Sequence, residues 1–380
     1  MLPPAASPLT WSDPLEQTTQ ALRSELTGIF QVSGVRAEGR GQTIIFSGRF
    51  LHDPGQSYDE IRRRFRAYGY TPLLRRQHDL EMILALEGVG GGEQTGNPLI
   101  NLLLLLTTIL TTLHAGAVMA GNDLFNPLLT GSVAALGQAI SAGAPYALAL
   151  LVILGVHEIG HYLAAQAHNV RATLPYFIPL PFGGLGTLGA FIAIKSPMKS
   201  RKVLFDIGLA GPYAGFLVAV PLLAIGLLLS TAYVPTGFPS IWTTERLGAS
   251  LLFGAFLERL TDVPADQTLL LHPIARAAWL GFFLTGINLL PVGQLDGGHA
   301  VYAILGRAAH GVSLLVFGLL ILAGAVLSTN WFVWAFFIMF GGLRHPPPLN
   351  DLSGVGRGRK LVGLATVLLF LLIVIPVPFR

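Results

Sequence analysis

From Pro98 to Ala120 the chain carries no formal charge and is predominantly apolar. A run of about 20 apolar residues crosses the ~30 Å of a bilayer's hydrocarbon as a helix, and in that solvent only helices and closed barrels satisfy their own backbone. Six further stretches of this kind follow: Gly143–Ala167, Val203–Ser230, Ile274–Leu290, Gly311–Leu327, Trp331–Leu343 and Leu361–Val377. Trp331–Leu343 is short, and Phe125–Ile140 and Ala249–Leu257 read as interfacial or buried. The fold class expected is therefore membrane α-helical, a polytopic bundle of about seven transmembrane helices in a lipid bilayer. No internal repeat is visible.

The charges are distributed accordingly. Of 44 formal charges, from 24 Lys and Arg and 20 Asp and Glu, the first 97 residues hold 10 Arg and 11 acids. Residues 1–97 thus read as a soluble cytoplasmic region, and 98–380 as the membrane domain. Met1 to Trp11 lacks the basic and apolar pattern of a signal peptide. Thr43–Phe50 reads as a strand, Ser57–Tyr68 as a helix with a capping-box spacing from Ser57 to Glu60, and Thr71–Arg75 and Leu80–Glu87 as two more strands. A small α+β domain of about 50 residues fits this order. Gly88–Gly92 with Thr95 and Gly96 reads as a linker. The absence of cysteine excludes disulfides, thiolate catalysis, thiolate-bound zinc and iron–sulfur clusters.

Basic residues orient the helices. Arg171, Lys195, Lys199, Arg201 and Lys202 lie between the second and third, with no acid before Asp206. The loop 121–142 has no Lys or Arg, and 230–273 has two Arg against Glu245, Glu258, Asp262 and Asp266. Arg344, Arg357, Arg359 and Lys360 return on the basic side. A cytoplasmic N-terminus in the cell's inner membrane satisfies every loop.

The second apolar stretch contains His157-Glu158-Ile159-Gly160-His161. Ionisable groups are costly inside a membrane and mark function by default. Residues four apart share a helix face, so both imidazoles can reach one zinc ion, while Glu158 is placed to activate zinc-bound water. A catalytic zinc takes a third protein ligand and keeps one open position. Asp296 lies where Pro291, Gly293, Gly297 and Gly298 interrupt the fourth stretch. It reads as that ligand or as a capping residue at the interface. With the N-terminus cytoplasmic, the second and fourth helices both run inward, so the His-Glu-His cluster and Asp296 reach the same depth.

These motifs resemble the site-2 proteases, a family of intramembrane zinc metalloproteases. The likeness covers most of residues 143–300: His157-Glu158-x-x-His161, Gly211-Pro212-Tyr213-Ala214-Gly215 and Asn288-x-x-Pro291-x-x-x-x-Asp296-Gly297. Leu174–Pro179 and Pro291–His299 are most similar to the cyanobacterial and chloroplast branch, which has no PDZ insertion. The resemblance implies that His157, His161 and Asp296 bind zinc, that Glu158 is the catalytic base, and that Asn288 holds substrate or oxyanion. It implies a hydrolase that cuts peptide bonds within transmembrane segments, with single-pass membrane proteins as substrates. A transporter would show paired broken helices in two related halves, and a dead scaffold would lose Glu158 or a ligand.

Leu174–Ile194, rich in Pro and Gly, reads either as a re-entrant hairpin whose edge pairs with unwound substrate or as an ordinary loop. Gly211, Pro212 and Gly215 read as a helix-packing surface. His299 reads as orienting a ligand or as merely interfacial. His114, His168, His272, His310 and His345 lack a partner pattern. Arg62-Arg63-Arg64 reads as a solvated face, and no nucleic-acid partner is expected.

Overall fold

A computed structural model describes residues 14–39, 42–77, 79–88, 96–182, 184–234, 247–264 and 266–378. The N-terminal Met1–Trp11 segment and most of the Gly-rich linker lie outside these residues. The chain divides into two compact units. One comprises Met1–Gly92 together with Pro197–Arg201 and Pro347–Gly354, and the other takes the rest.

The first unit holds helix α1 (Pro14–Glu25), strands β1 (Phe30–Glu38) and β2 (Thr43–Phe50), helix α2 (Pro54–Arg66), and strands β3 (Tyr70–Gln77) and β4 (Leu80–Glu87). The sheet is antiparallel, ordered β1-β2-β4-β3. Alternation makes β2, which turns Ile44 and Phe46 inward. The helix begins earlier than the expected Ser57, because Asp53 caps it through Gly55 N–H and Pro54 suits a first turn that needs no donor. It buries Tyr58, Ile61 and Phe65 along one face. With Leu22, Leu26, Ile44, Phe46, Leu74 and Ile83 these form the core.

Helix α1 and strand β1 were not among the expected elements. The helix buries only Leu22, and the strand is mostly exposed, with its register shifted between Val32 and Gly34, so neither shows a clean apolar period. Strand β3 is completed from far along the chain. Leu74 N–H donates to Leu349 O at 2.8 Å, and Asp351 N–H donates to Leu74 O at 3.2 Å. Buried Arg75 donates to Pro348 O at 2.7 Å and Leu349 O at 3.1 Å. Arg201 Nε reaches Asp351 Oδ1 at 2.8 Å.

The second unit is mostly helical. It contains α3 (Pro98–Met119), α4 (Phe125–Thr130), α5 (Val133–Ala167), the hairpin β5 (Tyr176–Leu180) and β6 (Gly186–Phe191), and α6 (Arg201–Leu228), whose first residue is shared with the other unit. Strand β7 (Thr231–Tyr233), α7 (Leu251–Leu260) and β8 (Thr268–Leu270) precede α8 (Pro273–Asn288). Then come α9 (Asp296–Leu305), α10 (Ala309–Val326), α11 (Asn330–Gly341) and α12 (Arg357–Ile373).

Four helices among the described residues are long and apolar enough to cross a membrane: Pro98–Met119, Val133–Ala167, Arg201–Leu228 and the nearly continuous Asp296–Val326. The remaining expected spans are shorter, at 16 residues for α8, 12 for α11 and 17 for α12. In α8 every residue from Ala275 to Ile287 is buried, so its apolar character serves a protein interior on all sides. Phe125–Ile140 is not one element, since α5 already starts at Val133. Leu174–Ile194 forms a hairpin rather than an irregular loop.

Phe46→Ala removes a fully buried ring from the first unit and is expected to destabilise it by about 3–5 kcal/mol. The check is protease nicking of residues 14–88 in the full chain across a urea titration. An unshifted midpoint would remove Phe46 from the core.

Candidate metal centre

Helix α5 presents Tyr146, Leu150, Ile153, His157 and His161 along one buried face. His157, Glu158 and His161 are 4%, 4% and 6% exposed. The third member arrives from the other end of the unit's sequence. After Asn288 the chain leaves α8, turns through Gly293 in a left-handed conformation at φ +53°, and restarts as α9 at Asp296. Gly297 and Gly298 are therefore helical, not part of the break. A Cβ on Gly298 would stand 2.6 Å from Val292 O, so the glycines let the turn lie against the new helix and bring Asp296 into place. A carboxylate in the first turn of a helix is also favoured by the helix dipole.

Three donor atoms converge. His157 Nε2 and His161 Nε2 are 3.1 Å apart, and each lies 3.3 Å from an oxygen of Asp296. The group spans no more than 4.8 Å and is the one set of three such residues among those described. His161 Nδ1 donates to Ile207 O at 2.7 Å, which leaves its Nε2 lone pair facing the cluster. Asp296 Oδ2 is buried without a hydrogen-bond partner. Ligand atoms about 2.0–2.2 Å from a tetrahedral ion stand roughly 3.3–3.6 Å from one another, close to the separations here, so this donor set fits zinc. Two imidazoles, a carboxylate and no thiolate are also an ordinary zinc set.

Glu158 is the next residue after His157 on the same turn and is buried beside them. Asn288 ends α8, half-buried. The structure thus gathers His157, His161 and Asp296, places Glu158 beside them, and puts Asn288 at the turn that leads to Asp296.

The glycines of α6 carry more than helix packing. A Cβ on Gly211 would collide with the His161 ring, and one on Gly215 would stand 3.1 Å from His157 Cβ. Two glycines four residues apart face two histidines four residues apart. That matched spacing was the available signal. Ile207 O, as a backbone group, left none. His299 does not bond Asp296; its Nδ1 meets His345 Nε2 at 2.6 Å, and His345 stacks on Tyr302. His168 and Arg359 both bond Asp206. Arg64, within the basic run, bonds Glu60 on its own helix.

Residues 145–328 match the model of peptidase family M50. The chain is 33% identical over 295 residues to the probable zinc metalloprotease EGY1, chloroplastic, of Oryza sativa subsp. japonica, covering 73% of this chain and 50% of that protein. It is 37% identical over 238 residues to the probable zinc metalloprotease EGY1, chloroplastic, of Arabidopsis thaliana, at 61% and 43% coverage. It is 31% identical over 251 residues to the Arabidopsis thaliana EGY2 protein of the same description, at 64% and 43%. The chain spans about half the length of the curated relatives it matches. No solved structure matches it.

Gly211→Ala should press a methyl group into the His161 ring and lower bound zinc below one ion per chain, read by metal analysis of purified protein. Gly155→Ala, on the same helix as the histidines but facing open space, should leave zinc unchanged. Equal zinc in the two variants would separate α6 from the metal centre.

Proposed function

We propose, from the premise that residues 145–328 are a peptidase family M50 domain, that this chain is an intramembrane zinc metalloprotease that hydrolyses peptide bonds within transmembrane segments. The observation that carries the reading is the convergence of His157, His161 and Asp296 within 4.8 Å, next to a buried glutamate. Zinc, when bound there, acts as a Lewis acid and lowers the pKa of water toward about 7.

The protein's own groups do the remaining work. His157, His161 and Asp296 hold the ion, and the Ile207 carbonyl keeps His161 in the tautomer that can bind it. Glu158 takes a proton from the attacking water and returns it to the leaving amine as the peptide bond breaks. Asn288 orients the substrate or the carbonyl oxygen. The free edge of the β5–β6 hairpin can receive a stretch of unwound substrate as an added strand.

The chain is a multi-pass membrane protein, and in this reading seven segments cross: α3, α5, α6, α8, α9 with α10, α11 and α12. Helices α8, α11 and α12, too short alone, gain from neighbours that bury or flank them. Residues 98–380 form the membrane protease, with its core at 143–300, and residues 1–97 lie on the cytoplasmic side of the cell's inner membrane. The basic loops at 171–202 and 344–360 support that orientation. Substrates are single-pass membrane proteins, cut in the cytoplasmic half of their helix.

Glu158→Gln keeps shape and polarity but removes the proton acceptor. Zinc should remain at parental level while turnover falls by at least about a hundredfold. Near-normal proteolysis would refute the role of base, and lost zinc would make Glu158 a ligand. Mass spectrometry of products locates the cut. A helical substrate must unwind first, so Gly or Pro near the scissile bond should raise the rate and Leu in their place should lower it. Cuts in the extracytoplasmic half or in a soluble loop would overturn the orientation or the intramembrane reading.

A further inference from the structure

Helix α6 is bare on one side and gripped on the other. At ~100° per residue, Gly208, Gly211 and Gly215 fall within about 60° of one another, while Asp206 and Tyr213 fall about 140–180° round from them. A Cβ on Gly208 would stand 2.7 Å from His299 Cβ, and those on Gly211 and Gly215 would meet His161 and His157. Three histidines therefore lie against exposed backbone rather than against side chains. One of them bonds to it: His161 Nδ1 donates to Ile207 O at 2.7 Å.

Asp206, the residue before Ile207, is held from two other helices. Arg359 of α12 donates to it as a fork, Nε to Oδ1 and Nη2 to Oδ2, each at 2.7 Å. His168, just past the end of α5, brings Nε2 to 3.0 Å from Oδ2. Two turns further along α6, Tyr213 Oη meets Thr366 Oγ1 of α12 at 3.1 Å. Asp206 and Tyr213 are spaced as Arg359 and Thr366 are, so α12 runs parallel to α6 with two polar rungs about 10 Å apart at ~1.5 Å per residue. On the other side, His157, His161 and His168 of α5 meet Gly215, Gly211 and Asp206 in turn, an antiparallel register. Apolar packing is non-directional, whereas a forked charge pair and a hydroxyl bond have direction. A turn of α6 by about 25° moves backbone at a ~2.3 Å radius by about 1 Å, the margin between a hydrogen bond and a miss for the Ile207 carbonyl.

We propose that Asp206 is a positioning residue for the metal centre and that α12 acts through it: the Arg359 fork, with Tyr213–Thr366 as the second rung, sets the rotation of α6 that aims Ile207 O at His161 Nδ1. The inference rests on the reading of His157, His161 and Asp296 as zinc ligands. It brings into the site a helix that lies beyond residues 145–328, those matched to the peptidase family.

The full chain in nanodiscs is titrated with Zn2+ against a chelator of known affinity. Asp206→Asn, Arg359→Gln and Thr366→Val should each raise the zinc Kd by about tenfold, the lower end of the range for groups that orient a metal ligand. Thr366→Ser keeps the hydroxyl and should bind zinc as the parent does. The visible spectrum of Co2+ bound in place of zinc should change in Asp206→Asn and Arg359→Gln, because ligand geometry sets it; a fold that is merely less stable leaves that spectrum alone. The chain has no cysteine, so Leu217→Cys on α6 and Leu368→Cys on α12, both exposed, accept nitroxide labels cleanly. The distance distribution between them should broaden in Arg359→Gln and Thr366→Val. A parental zinc Kd and cobalt spectrum in Asp206→Asn and Arg359→Gln, or an unchanged label distance, would each overturn the proposal. Zinc bound by His161→Ala as tightly as by the parent would instead sink the ligand assignment; the labels would still report whether α12 holds α6, so the two failures can be told apart.

Discussion

Two imidazole nitrogens and a carboxylate meet here within 3.1–3.3 Å of one another. His161 donates its Nδ1–H to the Ile207 carbonyl, so its Nε2 lone pair faces His157 at 3.1 Å and Asp296 at 3.3 Å. A shared positive ion compensates the burial of such a donor set. Much of the second unit is arranged to permit it. Helix α6 gives up side chains at Gly211 and Gly215 to admit the rings, and the turn after α8 folds tightly enough to aim Asp296 at them. A single methyl group in either place meets either an imidazole or a backbone carbonyl.

The parts of this arrangement that follow simple periods were legible in the sequence. Strands β2 and β4 have the bounds their alternation predicts, and the His-Glu-x-x-His spacing needs only 3.6 residues per turn to share a face. The resemblance to site-2 proteases, carried by His157-Glu158-x-x-His161 and the string ending at Asp296-Gly297, is borne out by the family match over residues 145–328. What stayed hidden was set by partners distant in sequence. Strand β1 has most of its side chains exposed and a shifted register, so pairing with β2, not pattern, makes it a strand. The glycines of α6 read as packing until the rings opposite them are known. Ile207 contributes a main-chain carbonyl, which any residue would supply.

Apolar length proved a coarse guide to depth. Ile274–Leu290 reads like the other spans, yet the helix there has 16 residues and is enclosed on every side. Lipid and protein interior reward the same side chains, so hydropathy alone does not separate a helix facing one from a helix facing the other. The distinction lies in small residues at the contacts: Gly226 meets the backbone of Ala275, and Gly281 lies 2.9 Å, at its absent Cβ, from Ile153. Helix α8 is closely packed because a glycine stands on one side of each of these contacts, on α6 at Gly226 and on α8 itself at Gly281.

The completed edge of the first sheet has a consequence for how the molecule is made. Strand β3 and the residues beside it are synthesised early, but the segment that bridges Leu74 in parallel is Asn350, near the far end of the chain. Ser200, which also bridges Asn350, emerges midway. During translation the β3 edge is therefore left bare while every helix from α3 to α11 is being made, with its backbone groups available to water or to a chaperone. Closure of that edge, with Arg75 and Arg201 bonded to residues 348–351, waits until α11 has been made. The small sheet is thus begun before the helices of the second unit and completed only after most of them.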